Sequence, residues 1–195
     1  MSSYHYSPRV KVCGITCTDD ALLAVSAGAD AIGCVFYESS SRNVSVDIAR
    51  QVVQTAGPFV CSVGLFVNAQ ASFITDVLAD VPLQILQFHG DEDAAFCDQF
   101  QRPYVKAVRM RPNVDLDSVI RSYPNASAIL LDAYKKGVPG GTGETFDWER
   151  VPSAASQAIV QTSPYAVDVS GGVEQLPGKK DAQKLKQFIY NVKTV

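Results

Sequence analysis

The sequence predicts an α/β fold of the (β/α)8-barrel type, and three observations carry the prediction. Short apolar runs alternate with helical segments along the chain, joined by brief polar connections, the pattern of parallel strands linked by right-handed crossovers. Runs such as Ala31-Ile32-Gly33-Cys34-Val35-Phe36 are apolar without a polar alternate, as expected of strands covered on both faces. Seven runs are clear and an eighth is suspected at Ala158-Ile159-Val160; eight units favour a closed barrel over an open sheet. With 195 residues and 47% hydrophobic content, the chain suits a single domain, 1–195. That is compact for a barrel of this kind, which typically takes about 250 residues.

The elements follow in order. Arg9 to Cys13 reads as a strand that breaks at Gly14, and Thr18-Asp19-Asp20 offers capping oxygens and first-turn carboxylates to a helix over Ala21–Ala27. Ala27-Gly28-Ala29 stops that helix, with glycine at the left-handed position. The strand Ala31–Phe36 leads through a polar loop to Ser45 and Asp47, which open a helix running to Ala56 before Gly57-Pro58. Phe59–Phe66, Leu83–Phe88, Tyr104–Val108, Ala128–Leu131 and Tyr165–Val169 read as further strands. Between and after them, helices are expected over Asn68–Ala79, Asp91–Phe100, Leu116–Tyr123, a weak segment ending near Ala155, and Asp181–Tyr190. The glycine-rich stretch Tyr134–Thr145 is a long loop.

Composition narrows the partners. A net charge of −3 without a basic cluster offers no footprint for nucleic acid or an anionic membrane. No apolar run is long enough to cross a bilayer, and the first eight residues lack the regions of a signal peptide. Five cysteines with no Cys-x-x-Cys pair, and two histidines, argue against a structural zinc site and for reduced thiols in the cytoplasm.

In a barrel, the carboxyl ends of all strands share one face, where chemistry is done. Here those ends carry Cys13, the loop with Arg42, Asn68, His89, Arg109, Asp132 and Asp168. Taken alone, Cys13 would be one more small hydrophobe in a buried strand. A thiol, a histidine, two carboxylates and two guanidinium groups brought to one mouth favour a catalytic reading instead.

These segments resemble phosphoribosylanthranilate isomerase of tryptophan biosynthesis, a TIM-barrel family. The resemblance lies in Val10-Lys11-Val12-Cys13-Gly14-Ile15-Thr16, Phe36-Tyr37 with Ser40 and Arg42, Val63-Gly64-Leu65-Phe66-Val67-Asn68, Leu86-Gln87-Phe88-His89-Gly90-Asp91-Glu92, Leu131-Asp132-Ala133, the stretch from Gly140 to Trp148, and Val167-Asp168-Val169-Ser170-Gly171-Gly172-Val173-Glu174. It implies an Amadori rearrangement of N-(5′-phosphoribosyl)anthranilate to 1-(2-carboxyphenylamino)-1-deoxy-D-ribulose 5-phosphate. No cofactor and no metal are implied, since the chemistry is proton transfer. The resemblance makes Cys13 the general base and Asp132 the general acid. Arg42 is expected to meet the anthranilate carboxylate, His89 to line the pocket, and Asp168 to bind a ribose hydroxyl. Ser170, Gly171 and Gly172 are expected to form a phosphate loop, and Gly141 and Gly143 to lie in a cover over the substrate. Glu144 stands where the family often has lysine, and Gly171 where many relatives have a second serine. The expected partner is the small phosphosugar–anthranilate substrate, bound by a monomer or homodimer.

One departure stands out. After Ala158-Ile159-Val160 only Gln161-Thr162-Ser163-Pro164 precedes the last strand, whereas a parallel crossover needs about a dozen residues or more. The seventh βα unit is therefore truncated between Val160 and Tyr165, or residues present in the molecule are missing from the written sequence, or 158–160 is not a strand. The second is preferred, because the two flanks resemble the family's Gly-Gly phosphate loop and helix with the middle excised. Two rival readings stay open: another phosphosugar isomerase or epimerase barrel, and a non-catalytic barrel with a defective phosphate site.

Overall fold

The computed structural model describes residues 7–111, 114–133 and 164–194. Seven strands form one parallel sheet: β1 (Arg9–Cys13), β2 (Ala31–Phe36), β3 (Cys61–Phe66), β4 (Ile85–Phe88), β5 (Tyr104–Met110), β6 (Ala128–Ala133) and β7 (Ala166–Val169). Their order is β6-β5-β4-β3-β2-β1-β7, so each of the first six pairs with its sequence neighbour and β7 returns to flank β1. Helices α1 (Thr18–Ala27), α2 (Val46–Ala56), α3 (Ala71–Asp80), α4 (Ala94–Asp98) and α5 (Leu116–Ser122) fill the crossovers, and α6 (Ala182–Lys193) follows β7. A small antiparallel hairpin, β8 (Glu174–Leu176) and β9 (Lys179–Lys180), precedes α6 and was not foreseen.

Of the expected closed barrel the described residues form seven parallel strands, and among them β6 and β7 are the edges of an open sheet. The suspected strand at Ala158–Val160, the truncation after it, the 134–145 loop with Gly141 and Gly143, and the weak helix ending near Ala155 lie outside the described residues.

Alternation along the strands, hidden in the sequence by apolar residues on both faces, organises the sheet. Val10 and Val12, Ile32, Cys34 and Phe36, Leu86 and Phe88, and Val169 pack against Ala24, Val52, Val53, Ile74, Val77, Leu185 and Ile189 from the helices. The intervening residues face away from the helices; there Cys13, Val35 and Leu65 make a separate small cluster with Tyr37 and Val67. By the same period of two, Lys11, Gln87, Arg109, Asp132 and Asp168 point to this inner face.

Local chemistry explains most boundaries. Ser45 caps α2 by accepting from the Ile48 N–H, Asp93 caps α4, Asp115 caps α5, and Asp181 caps α6. Gly28 ends α1 in the left-handed conformation at φ 97°. Other boundaries move. Helix α1 starts at Thr18 and its N-cap, Cys17, makes no side-chain capping bond, while Asp20, a first-turn carboxylate as expected, is buried and accepts from the Lys180 N–H. Strand β3 starts at Cys61, leaving Phe59 wholly exposed. Asn68 sits three residues before α3 with φ 49°, and its Oδ1 accepts from the Asp91 N–H at 2.7 Å, tying the loops after β3 and β4 together.

Candidate active site

Because the sheet is parallel, every strand delivers its carboxyl end to the same edge, and the described candidate residues gather there in two clusters. The first surrounds Cys13, the last residue of β1. Cys13 stands opposite Gly33 of β2, and a Cβ on Gly33 would come within 3.0 Å of Sγ and 3.3 Å of Lys11 Cε, so glycine makes room for both side chains. Two residues earlier, Lys11 stands opposite Asp168 of β7, and its Nζ donates to Asp168 Oδ1 at 2.9 Å. Burial pushes the Cys13 thiol above its ordinary range; the Lys11 ammonium and, more weakly, Lys180 oppose the rise, and Asp168 adds to it. Lys11 itself is raised, because Asp168 and the thiol outweigh the burial that would discharge it.

Directly after Cys13 the chain turns through Gly14 at φ 74°. A Cβ there would meet Arg42 Cδ at 2.5 Å, so the arginine stem runs across bare backbone. Arg42 reaches Glu174 with Nε to Oε1 at 2.7 Å and Nη2 to Oε2 at 2.8 Å, a bidentate pair within a buried setting. Lys180, also buried, donates from Nζ to Glu174 Oε1 (2.9 Å), to the Cys13 carbonyl (2.7 Å) and to the Ser170 carbonyl (3.2 Å). Burial favours neutral Glu174, but the Arg42 hydrogen bonds and the Lys180 charge prevail and lower its pKa; burial lowers that of Lys180. One buried lysine thus ties the end of β1 to the turn after β7. Ser170 precedes a single 3-10 turn, Gly171–Val173, at that carboxyl edge.

The second cluster surrounds Asp132 of β6. Its Oδ2 lies 3.1 Å from His89 Nε2, and His89 Nδ1 lies 3.1 Å from Gln87 Nε2. His89 thus bridges the Gln87 amide and the Asp132 carboxyl group and fixes the orientation of both. Behind this line, Glu92 accepts from the Asn68 N–H (2.7 Å) and the Gly90 N–H (2.9 Å) and pairs with Lys106 at 3.0 Å, holding the loop that bears His89.

The structure therefore places Cys13, Arg42, Asp168 and Ser170 in one cluster and His89 with Asp132 in the other, with Cys13 on β1 and Asp132 on β6 separated by β2 to β5 in the sheet. Asp168, expected to bind a ribose hydroxyl, pairs with Lys11. Arg42 has an acidic partner that the sequence reading did not name. Lys11, Gln87, Glu174 and Lys180 were missed as site residues. The signal for Lys11 and Gln87 was available, since each is a polar residue two positions before a candidate on an apolar strand. Glu174 and Lys180 pair with each other across six residues, but their partners at the site, Arg42 and the Cys13 carbonyl, lie 132 and 167 residues away. Among the described residues no group of His, Cys, Asp and Glu is arranged to hold a metal ion. None of their helices is long and apolar enough to cross a membrane.

Comparison with known proteins places the chain in a family. The family profile described as N-(5′-phosphoribosyl)anthranilate (PRA) isomerase matches residues 10–191. A relative named N-(5′-phosphoribosyl)anthranilate isomerase from Cellvibrio japonicus (strain Ueda107) is 54% identical over 198 aligned positions, covering 94% of this chain and 92% of the relative. Since 94% of 195 residues is about 183, roughly fifteen of those 198 positions have no residue here. The crystal structure of phosphoribosyl anthranilate isomerase from Thermotoga maritima superposes with a TM-score of 0.84 at 38% identity, covering 96% of this chain and 100% of that one. A structure of such an enzyme in complex with reduced 1-(o-carboxyphenylamino)-1-deoxyribulose 5-phosphate gives 0.82 at 37% identity, with the same coverage of both chains. On the profile match and the identity alike, this chain belongs to the N-(5′-phosphoribosyl)anthranilate isomerase family.

Proposed function

We propose that Cys13 and Asp132 act as general base and general acid in the Amadori rearrangement of N-(5′-phosphoribosyl)anthranilate. As a member of its family the chain is an aldose–ketose type isomerase of tryptophan biosynthesis. The observation that carries the residue assignment is that both groups stand on the inner face of one parallel sheet at its carboxyl edge, each held by its own polar neighbours. Asp132, aligned by His89, protonates the furanose oxygen as the C1′–O bond breaks, leaving a Schiff base. The thiolate of Cys13 then takes the C2′ proton, and the resulting enolamine tautomerises to the ketone. No electron or group leaves the substrate.

Arg42 meets the anthranilate carboxylate with a guanidinium already oriented by Glu174, which limits the rotamer entropy lost on binding. Asp168 receives a ribose hydroxyl, and Ser170, Gly171 and Gly172, with Gly141 and Gly143 from outside the described residues, serve the phosphate and the cover. A further strand between β6 and β7 would complete a single barrel domain over 1–195. The roughly fifteen positions absent here fall, on this reading, between Val160 and Tyr165, which removes most of the seventh crossover and leaves Ser170–Gly172 as the main phosphate contact. An intact mass of 21.0 kDa for the natural protein makes that deletion real, and a heavier one means that the written sequence is short. The setting is cytoplasmic, and the enzyme works as a monomer or a homodimer.

The test is to follow the loss of anthranilate-conjugate fluorescence for Cys13→Ser and Asp132→Asn. Each is expected to lower kcat by about 100-fold or more with the fold intact by circular dichroism. A variant retaining more than a tenth of wild-type kcat removes that residue from its role.

A further inference from the structure

Among the described residues the inner face holds charged side chains that the reaction scheme does not use, Lys11 and Arg109, and of these Lys11 stands on the strand that bears the thiol. Lys11 is largely buried, with 13% of its side chain exposed. An ammonium so placed is costly unless it is paired. Asp168 answers part of that cost, but pairing alone does not explain the position, because Lys11 lies on the same strand and face as Cys13, one pleat below it. The open space over Gly33 brings Lys11 Cε and Cys13 Sγ against the same point of β2. A lysine meant only to fasten β1 to β7 would not need to share that space with the thiol.

We propose that Lys11 is a positioning residue for Cys13: held at one side by Asp168, its ammonium stabilises the thiolate that takes the C2′ proton. The carboxylate sets how much of the charge reaches the sulfur. Asp168 thus has a second task besides any contact with substrate, that of tempering Lys11. The inference rests on Cys13 being the base, yet its physical content, a lysine that controls the thiolate, can be measured without substrate.

Every charged or titratable group facing the thiol enters the expectation. From β1 comes Lys11, and beyond β2 come Tyr37 and Arg42; the buried Cys34 of β2, whose own thiol is pushed to about 12, lies on the helix side of the sheet yet couples to Cys13. From β7 comes Asp168, and from the hairpin come Lys180 and Glu174. Arg42 and Lys180 are both neutralised in part by Glu174, which leaves Lys11 as the cation whose removal should move Cys13 most.

The experiment is the pH dependence of iodoacetamide alkylation at Cys13, read from its own peptide by mass spectrometry so that the other four cysteines do not interfere. Lys11→Met should move the midpoint up by about one pH unit or more, seen below the midpoint as roughly tenfold slower alkylation. Lys11→Arg should keep most of the wild-type profile. Asp168→Asn should move the midpoint the opposite way, because it frees the lysine charge while leaving the strand pair nearly isosteric. If Lys11→Met does not fold, the downward shift of Asp168→Asn set against the retained profile of Lys11→Arg still decides. Coincident profiles for wild type and Asp168→Asn, or an upward shift in Asp168→Asn, overturn the proposal. Full turnover by Cys13→Ser would instead overturn the base assignment and leave the alkylation result standing as a property of the thiol.

Discussion

Glu174→Gln tests the ionic knot beneath the Cys13 cluster. In the wild type, Glu174 answers two buried cations, receiving two hydrogen bonds from Arg42 at 2.7 and 2.8 Å and one from Lys180 at 2.9 Å. Glutamine keeps the volume but removes the charge and turns an N–H2 group toward one of the two donors. Breaking a buried pair from one side leaves an uncompensated charge and costs about 3–5 kcal/mol, against about 5–15 kcal/mol for a whole domain. Urea unfolding at neutral pH should register that loss with the m-value unchanged. Its pH dependence supplies a second check. Lys180 has a folded pKa below its unfolded one, so between the two values the unfolded chain binds more protons and stability rises with pH. Without Glu174 the folded value falls further, the window widens, and the deficit of the variant should shrink from pH 7 toward pH 10. A deficit under about 1 kcal/mol would mean that the surrounding carbonyls of Cys13 and Ser170 suffice for Lys180, and a deficit independent of pH would mean that Lys180 is not the group left stranded.

Two other outcomes follow from single contacts. Gly14→Ala puts a side chain into the left-handed region, at a cost of about 1–2 kcal/mol, and its Cβ meets Arg42 Cδ at 2.5 Å; thermal unfolding should show the loss, and steady-state kinetics should show KM raised more than kcat is lowered as the guanidinium is displaced. Asp30 lies at the opposite end of the sheet, where it accepts from Arg9 Nη1 and the Val10 N–H at 2.8 Å and also from Lys193. Burial favours its neutral form, but the Lys193 and Arg9 hydrogen bonds prevail and hold its carboxyl below the usual range. The stability it adds is therefore present above the ordinary carboxylate pKa and lost as pH falls through the lower folded value. Asp30→Asn should cost about 1–2 kcal/mol at pH 7 and almost nothing near pH 2, by urea unfolding, with kcat unchanged.

What could be read from the sequence, and what could not, divides by the range over which residues cooperate. Strand β2 was readable to the residue because six apolar positions lie between Asp30 and Tyr37, and α2 because Ser45, Asp47 and Gly57 mark both ends within one short segment. The order of the sheet followed from alternation of elements and the chirality of crossovers. Phe59 was misread because hydrophobicity continues past the true start of β3, although its ring lies wholly in solvent. The hairpin of β8 and β9 carries no periodic signal in five residues, and it exists because Glu174 and Lys180 face each other across it.

The site adds a stricter lesson. Cys13, His89, Asp132 and Asp168 were visible because each follows or ends an apolar strand, so local pattern and fold together place them. The pairings that set their chemistry were not visible, since Lys11 meets Asp168 across 157 residues and Arg42 meets Glu174 across 132. A strand can advertise a reacting group because burial makes it stand out among hydrophobes. The partner that tunes it is buried too, but its reason for being there is a contact between remote segments. That division explains why the two clusters differ in how they are built. At Asp132 the aligning residues, Gln87 and His89, come from one stretch of β4 and the turn after it, so this carboxyl group is oriented by a local unit. At Cys13 the surrounding charges come from β1, the loop after β2, β7 and the hairpin before α6, so the setting of the thiol forms only when both ends of the chain have assembled. The proposed base is therefore the part of this site most exposed to any change in how the chain closes after β6.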